Sequence, residues 1–284
     1  MSRKINIWEK SKWPERLLEI NDPPECLYIR GKEPPKDHIY ICIVGSRKYS
    51  PYGKLACEHI IKGLAGLPVV IVSGLALGID SIAHKAALEN NIQTIGFPGS
   101  GISDEVIYPR TNINIAYNIL KSDSCIISEF NPNEKAMPWF FPKRNRIMAG
   151  ISHMTIIIEA EEKSGTLITA RLALDYNREI GIIPGSIFNK SSYGPLSLLK
   201  EGAHPIISAQ DICHILGIKK ESYTLPKNLS EEEIEILSHL KYPQDKNKLL
   251  EEVDLPIHLI QSTLMNLELK GIIKESEGLI CQNF

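Results

Sequence analysis

The chain has 284 residues, is 43% hydrophobic and 23% charged, and sets 32 Lys+Arg against 34 Asp+Glu for a formal net charge of −2. A chain this apolar buries enough surface to offset the entropy of ordering, so intrinsic disorder is excluded as its main state, and no apolar run approaches the roughly 20 residues that span a bilayer. With the total charge near zero, any polyanion site must be a local patch.

Met1-Ser-Arg-Lys-Ile has no apolar signal region, so a cytoplasmic protein is expected. Residues 1–37 are rich in Pro and charge, with one strand candidate, Cys26–Arg30. From residue 38, Ile- and Val-rich runs alternate with helical periods. The strand candidates are Ile39–Val44, Val69–Ser73, Gln93–Phe97, Cys125–Ser128, Met154–Glu159 and Ile180–Pro184. Helical stretches lie near 51–65, 79–90, 111–121, 143–151 and 165–177, with a final core helix near Asp211–Leu216. This alternation predicts an α/β fold with a Rossmann-like parallel sheet covered on both faces. Six scattered cysteines without a C-x-x-C read as buried reduced thiols, and the eight histidines have no ligand spacing, so neither a metal site nor a cofactor is expected.

The charge is unevenly placed. Residues 1–224 carry 26 basic and 23 acidic side chains, whereas 225–284 carry 6 Lys, no Arg and 11 acids. That break predicts a core over 38–218, a polar linker over 219–228 and a second domain over 229–284. The second domain reads as a small winged helix. A capping box at Ser230–Glu233 opens its first helix, followed by 246–253, 257–270 ending at Gly271, and a hairpin over 272–280. Its third helix has no Arg and the domain is acidic, so protein contacts are expected of it rather than major-groove reading.

In a parallel α/β sheet, ligands bind at the carboxyl ends of the strands. Four of the loops there combine Gly with Ser or Thr just before a helix, which suits anions through unpaired backbone N–H groups. Gly45-Ser46-Arg47 and Lys163-Ser164-Gly165-Thr166 are the best examples, and Ser73-Gly74 opens another. The plainer alternative is that tight turns in any α/β fold need Gly. Lys143-Arg144-Asn145-Arg146 follows Trp139, Phe140 and Phe141, the mixture of cations and flat rings that single-stranded nucleic acid uses; it also reads as a helix start with core aromatics. Asp80 reads as a helix cap with His84 as its partner. Glu159, at a strand end, is a further polar pocket candidate. Without G-x-x-x-x-G-K-[ST] or G-x-S-x-G, P-loop and nucleophile-elbow chemistry are excluded.

Taken in order, the loops resemble the DNA-processing protein A (DprA/Smf) family. The resemblance rests on Ile43–Arg47 with Tyr52-Gly53, Val72–Asp80 with Ala83-His84, Tyr108-Pro109 with Asn112, and Ser128-Glu129. It continues through Phe141–Ile147 with Ala149-Gly150, Glu159-Ala160, Ser164–Arg171, Arg178-Glu179, Pro184-Gly185 and Gly202-Ala203. It implies a core that dimerises, binds single-stranded DNA and loads the RecA recombinase in natural transformation and homologous recombination, without enzymatic activity. By position, Gly45, Ser46 and Arg47 would grip a phosphate with Ser164, Gly165 and Thr166. Lys143, Arg144 and Arg146 would line the strand's path, and Phe141 would touch a base. The family's usual helical domain before the core is expected to be vestigial in residues 1–37.

Two alternatives stay open on the same core. One is a phosphoribohydrolase-like nucleotide hydrolase, although Thr169 stands where such enzymes place a catalytic Glu. The other is a sensor of a free nucleotide.

Overall fold

The computed structural model describes residues 4–218, 229–240, 244–276 and 278–282. The chain divides into two compact units, Met1–Ile218 and Lys219–Phe284. The expected linker over 219–228 lies outside the described residues.

In the first unit the elements run β1 (Ile5–Trp8), α1 (Glu15–Leu18), β2 (Leu27–Gly31), β3 (Ile39–Val44), α2 (Pro51–Gly63), β4 (Val69–Ser73), α3 (Ile79–Glu89) and β5 (Gln93–Gly96). They continue as α4 (Ile113–Lys121), β6 (Cys125–Ser128), α5 (Phe140–Ile151), β7 (Met154–Ile157), α6 (Gly165–Asp175), β8 (Glu179–Ile182), α7 (Lys190–Leu199), β9 (His204–Pro205) and α8 (Ala209–Leu216).

One nine-stranded sheet carries them in the order β1-β2-β6-β5-β4-β3-β7-β8-β9. Along the sheet from β6 to β9, each adjacent pair is parallel, as expected. The lead-in segment adds two antiparallel strands on the β6 edge, one more than its sequence suggested. Buried Trp8, Trp13 and Leu27 seal this edge, and Trp13 Nε1 donates to the Trp8 carbonyl at 2.9 Å.

The continuous apolarity of the inner strands has the expected cause. Side chains alternate between two faces. In β3, Tyr40, Cys42 and Val44 join the core beneath α5 and α6, whereas Ile41 and Ile43 join the core beneath α2, α3 and α8. Burial pushes the Cys42 and Cys57 thiols up, which keeps them protonated and inert.

Chain order runs outward from β3 through β4, β5 and β6, then returns to β7 on the other side of β3. The carboxyl ends of β3 and β7 therefore flank the point where strand order reverses, which is where open α/β sheets leave a crevice.

The second unit contains α9 (Glu231–His239), β10 (Gln244–Asp245), α10 (Lys246–Glu252), α11 (Ile257–Leu269), β11 (Ile273–Ser276) and β12 (Leu279–Gln282), with an antiparallel sheet in the order β10-β12-β11. The capping box is present: Ser230 N donates to Glu233 Oε2 at 3.1 Å, and Glu233 N donates to Ser230 Oγ at 3.3 Å. Ile236, Leu249, Ile260, Leu264, Leu267 and Ile280 are among its core residues. No helix among the described residues is long and apolar enough to cross a membrane.

Candidate nucleic-acid interface

A cavity of about 630 Å³ opens at the β3/β7 reversal point. Gly45, Ser46, Arg47 and Lys48 approach it from the end of β3, Phe141, Arg144 and Asn145 from α5, and Lys163, Ser164, Gly165 and Thr166 from the β7–α6 connection.

The two glycine loops are shaped by short local contacts. Ser46 Oγ donates to the Lys48 carbonyl at 2.7 Å and accepts from Lys48 N at 3.0 Å, which folds the loop back and leaves Arg47 exposed at its tip. A Cβ on Gly45 would come within 2.6 Å of the Ile79 side chain, so only glycine lets this loop lie against α3. Ser164 caps α6 by accepting from Thr166 N at 3.2 Å, and Thr166 Oγ1 donates to the Gly45 carbonyl at 3.2 Å, tying the loops together. Gly165 differs: a Cβ there would meet nothing within 4 Å. The first turn of α6 thus presents bare backbone to the cavity, with the positive end of the helix dipole behind it.

Arg47 lies over Phe141, its guanidinium carbon 5.8 Å from the ring centre. Phe141 in turn rests its edge against Gly99, where a Cβ would fall within 2.5 Å of the ring, and meets Tyr108 edge-on at 5.9 Å. Tyr108 is itself about half exposed. Phe140 is core, stacked on Phe130 at 3.7 Å, while Trp139 remains exposed against it.

Residues 4–217 match the family described as DNA recombination-mediator protein A. The chain belongs to this family. It is 39% identical over 216 residues to the DNA processing protein DprA of Bacillus subtilis, covering 76% of this chain and 72% of that protein. The DprA of Streptococcus pneumoniae is 40% identical over 200 residues, 70% of each chain. Among solved structures, that of DprA from Streptococcus pneumoniae superposes with a TM-score of 0.70 at 37% identity, covering 76% of this chain and 75% of that one. A structure of DprA from Helicobacter pylori, described as showing its single-stranded DNA binding mode, gives a TM-score of 0.66 at 29% identity, covering 76% and 98%. The family match stops one residue short of the first unit's boundary at Ile218, so the unit that holds the cavity carries the family identity.

Within this DprA-family core, the basic cluster is divided. Arg144 lines the cavity but is buried. Its guanidinium donates to the Gly74 carbonyl at 2.5 Å and to the Phe97 carbonyl, and its Nε donates to Asn145 Oδ1 at 3.0 Å. Asp80 stands beside it and accepts from Gly74 N at 3.0 Å. Burial raises the Asp80 carboxyl above its usual range, and the Arg144 charge opposes that rise. Arg144 is therefore an internal brace across the ends of β4 and β5, with Gly74 as its hub, and not a free cation in a strand's path. Arg146 also departs from the expected path: it pairs with Glu129 at 2.5 Å and Asp22 at 3.2 Å. Lys143 is exposed but outside the cavity lining. Exposed Arg47, Lys48 and Lys163 supply the accessible positive charge at the rim.

Two polar expectations also change. Gly78, not Asp80, holds the α3 cap position, and His84 meets Thr94 Oγ1 at 2.7 Å instead of Asp80. Glu159 does not line the cavity. It accepts from Ser50 N at 2.9 Å, Ser50 Oγ at 2.5 Å and Ser191 Oγ at 3.3 Å, locking the starts of α2 and α7 together. Lys48 and Glu161 also line the cavity and Tyr108 flanks Phe141, three residues that the sequence did not assign to the site. Lys48 was adjacent to a recognised loop, whereas Tyr108 meets Phe141 only through the fold.

Proposed function

We propose that this chain binds single-stranded DNA in the cavity at the β3/β7 reversal point and loads the RecA recombinase onto it, acting as a homodimer and without catalysing a covalent step. The setting would be DNA uptake in natural transformation and homologous recombination. The observation that carries this reading is Arg47 poised over Phe141 beside the bare first turn of α6. A phosphate would sit between the Arg47 guanidinium and the α6 backbone amides, gripped by charge-assisted hydrogen bonds. The neighbouring base would stack on Phe141.

Contacts of this kind read phosphates and ring faces, not base edges, so binding would be largely indifferent to sequence. They would also favour a single strand, because duplex bases have their faces covered by their neighbours. The structure from Helicobacter pylori, whose description concerns single-stranded DNA binding, supports the reading at the level of the fold. A hydrolase reading draws less support: Thr169 lines the cavity, and Glu159 is held by Ser50 and Ser191.

The acidic second unit would act through proteins. Ile257, Met265 and Leu269 are exposed along α11, an apolar stripe better suited to a protein surface than to phosphates.

Titrating the chain with labelled single strand, duplex and free nucleotide at several salt concentrations, while assaying released base and RecA filament growth, tests the proposal. It predicts strand-selective, salt-sensitive binding lost in Arg47→Ala, faster RecA nucleation and no base release. Tight mononucleotide binding without strand affinity, or base release, would contradict it.

A further inference from the structure

Beside the main cavity lies a second depression of about 440 Å³, lined in part by Lys163, Phe188, Lys190 and Tyr193, with Glu161 and Glu162. Glu161 and Lys163 line both cavities, so the two are neighbours on either side of these residues. We propose that this depression is a second stacking subsite, which takes the next base or bases of a single strand already held over Phe141; the proposal rests on the strand-binding reading above.

Phe188 is 90% exposed and Ile187 77% exposed, in the connection between β8 and α7. Keeping a phenyl ring and a branched aliphatic side chain adjacent in water has a hydration cost that a purely structural turn does not require. The ring is presented by an ordered turn. Phe188 N donates to Ser186 Oγ at 3.3 Å, Asn189 N donates to the Ser186 carbonyl at 3.0 Å, and Tyr52 Oη donates to the Pro184 carbonyl at 2.6 Å. Tyr193 follows Lys190 by three positions on α7, which puts an aromatic and a cation on one helix face.

The charges fit a base better than a phosphate inside the depression. Glu161 and Glu162 repel a phosphate from its interior but accept from the amino edges of bases. Lys163 and Lys190 offer charge to the sugar–phosphate backbone. A strand leaving Phe141 would thus carry its backbone past the lysines and turn a base onto Phe188 or Tyr193.

The test uses the full chain and fluorescence anisotropy with labelled strands of about 4 and about 12 nucleotides, which bracket the usual site sizes. Phe188→Ala is expected to keep the wild-type melting temperature, because the ring is exposed. It should weaken binding of the longer strand about tenfold, as expected for the loss of one stacked base, and leave the shorter one within about twofold. Phe188→Trp should restore affinity and show indole emission quenched by the longer strand. Unchanged affinity for the longer strand, equal losses at both lengths, or a changed oligomeric state in sedimentation with strand affinity intact would overturn the subsite, the last by making the loop a protein interface. If Arg47→Ala loses binding while Phe188→Ala does not, only the subsite fails. If the wild-type chain binds no strand, both readings fail.

Discussion

The Arg47 guanidinium sits 5.8 Å above the centre of the Phe141 ring, although the two residues are 94 positions apart in the chain. A cation on one face of a ring leaves an edge and part of the other face for a base, and keeps the guanidinium's remaining N–H groups free for a phosphate. Arg47→Ala should therefore weaken single-strand binding about 10- to 100-fold, the range for a lost hydrogen bond to a charged group. It should also reduce the slope of log affinity against log salt by about 1. Arg47→Lys should keep the slope but recover only part of the affinity, because an ammonium cannot stack. Salt titrations of the three proteins check this.

Gly165 and Gly53 make opposite predictions. A methyl on Gly165 meets nothing within 4 Å, so Gly165→Ala should leave stability unchanged or raise it by up to about 1 kcal/mol through helix propensity. The same methyl would stand where a phosphate approaches, and strand affinity should fall roughly tenfold. At Gly53 the Cβ would lie 2.5 Å from Glu159 Oε2, so Gly53→Ala should lower the melting temperature. Thermal melts paired with strand titrations separate the two effects.

Arg144 should behave as a folding residue. Removing it leaves Asp80 buried without its cation and strips donors from the Gly74 and Phe97 carbonyls. Arg144→Ala should cost about 3–5 kcal/mol of stability, whereas exposed Lys143→Ala should stay within about 0.5 kcal/mol. Urea unfolding of both variants provides the comparison. A small effect at Arg144 with a large loss of strand affinity would return it to the set of ligand cations.

One buried and one half-buried histidine set an acid limit. Burial pushes His84 down to about 3 and His153 down to about 4, and His153 Nδ1 accepts from Tyr40 N at 3.0 Å, a bond that protonation would break. With folded values below the ordinary 6.5, the unfolded chain binds more protons between about pH 3 and 6.5. Stability is thus full above about 6.5 and falls as pH drops through that window. Fully buried His84 should contribute up to about 1.4 kcal/mol per pH unit, and half-buried His153 less because solvent screens it. Urea midpoints measured from pH 7 to 4.5 should decline, and a flat profile would contradict this assignment.

The parallel strands were legible because burial on both faces leaves unbroken Ile and Val runs, as in Ile39–Val44. The edge was harder to read. β1 has only four residues and exposes Ile7, so its pairing with β2 leaves little trace. α7 was hidden by Gly194 and Pro195, poor helix residues; glycine is required at 194 because a Cβ there would lie 2.6 Å from the Ala160 carbonyl oxygen.

In the site, Gly45–Arg47 and Lys163–Thr166 were readable as short glycine loops after buried strands. The fates of Arg144, Arg146 and Glu159 were not, because their partners are distant: Gly74 and Phe97 for Arg144, Asp22 and Glu129 for Arg146, and Ser50 for Glu159. Charge type was visible in the sequence; which charges remain available to a ligand was decided by tertiary pairing.

A crystal structure of the full chain with a strand of about six nucleotides is the most direct measurement. A phosphate oxygen should lie about 3 Å from both the Arg47 guanidinium and the backbone amides at the start of α6, with a base stacked on Phe141. A strand bound elsewhere on the molecule, with that cavity holding neither phosphate nor base, would contradict the account.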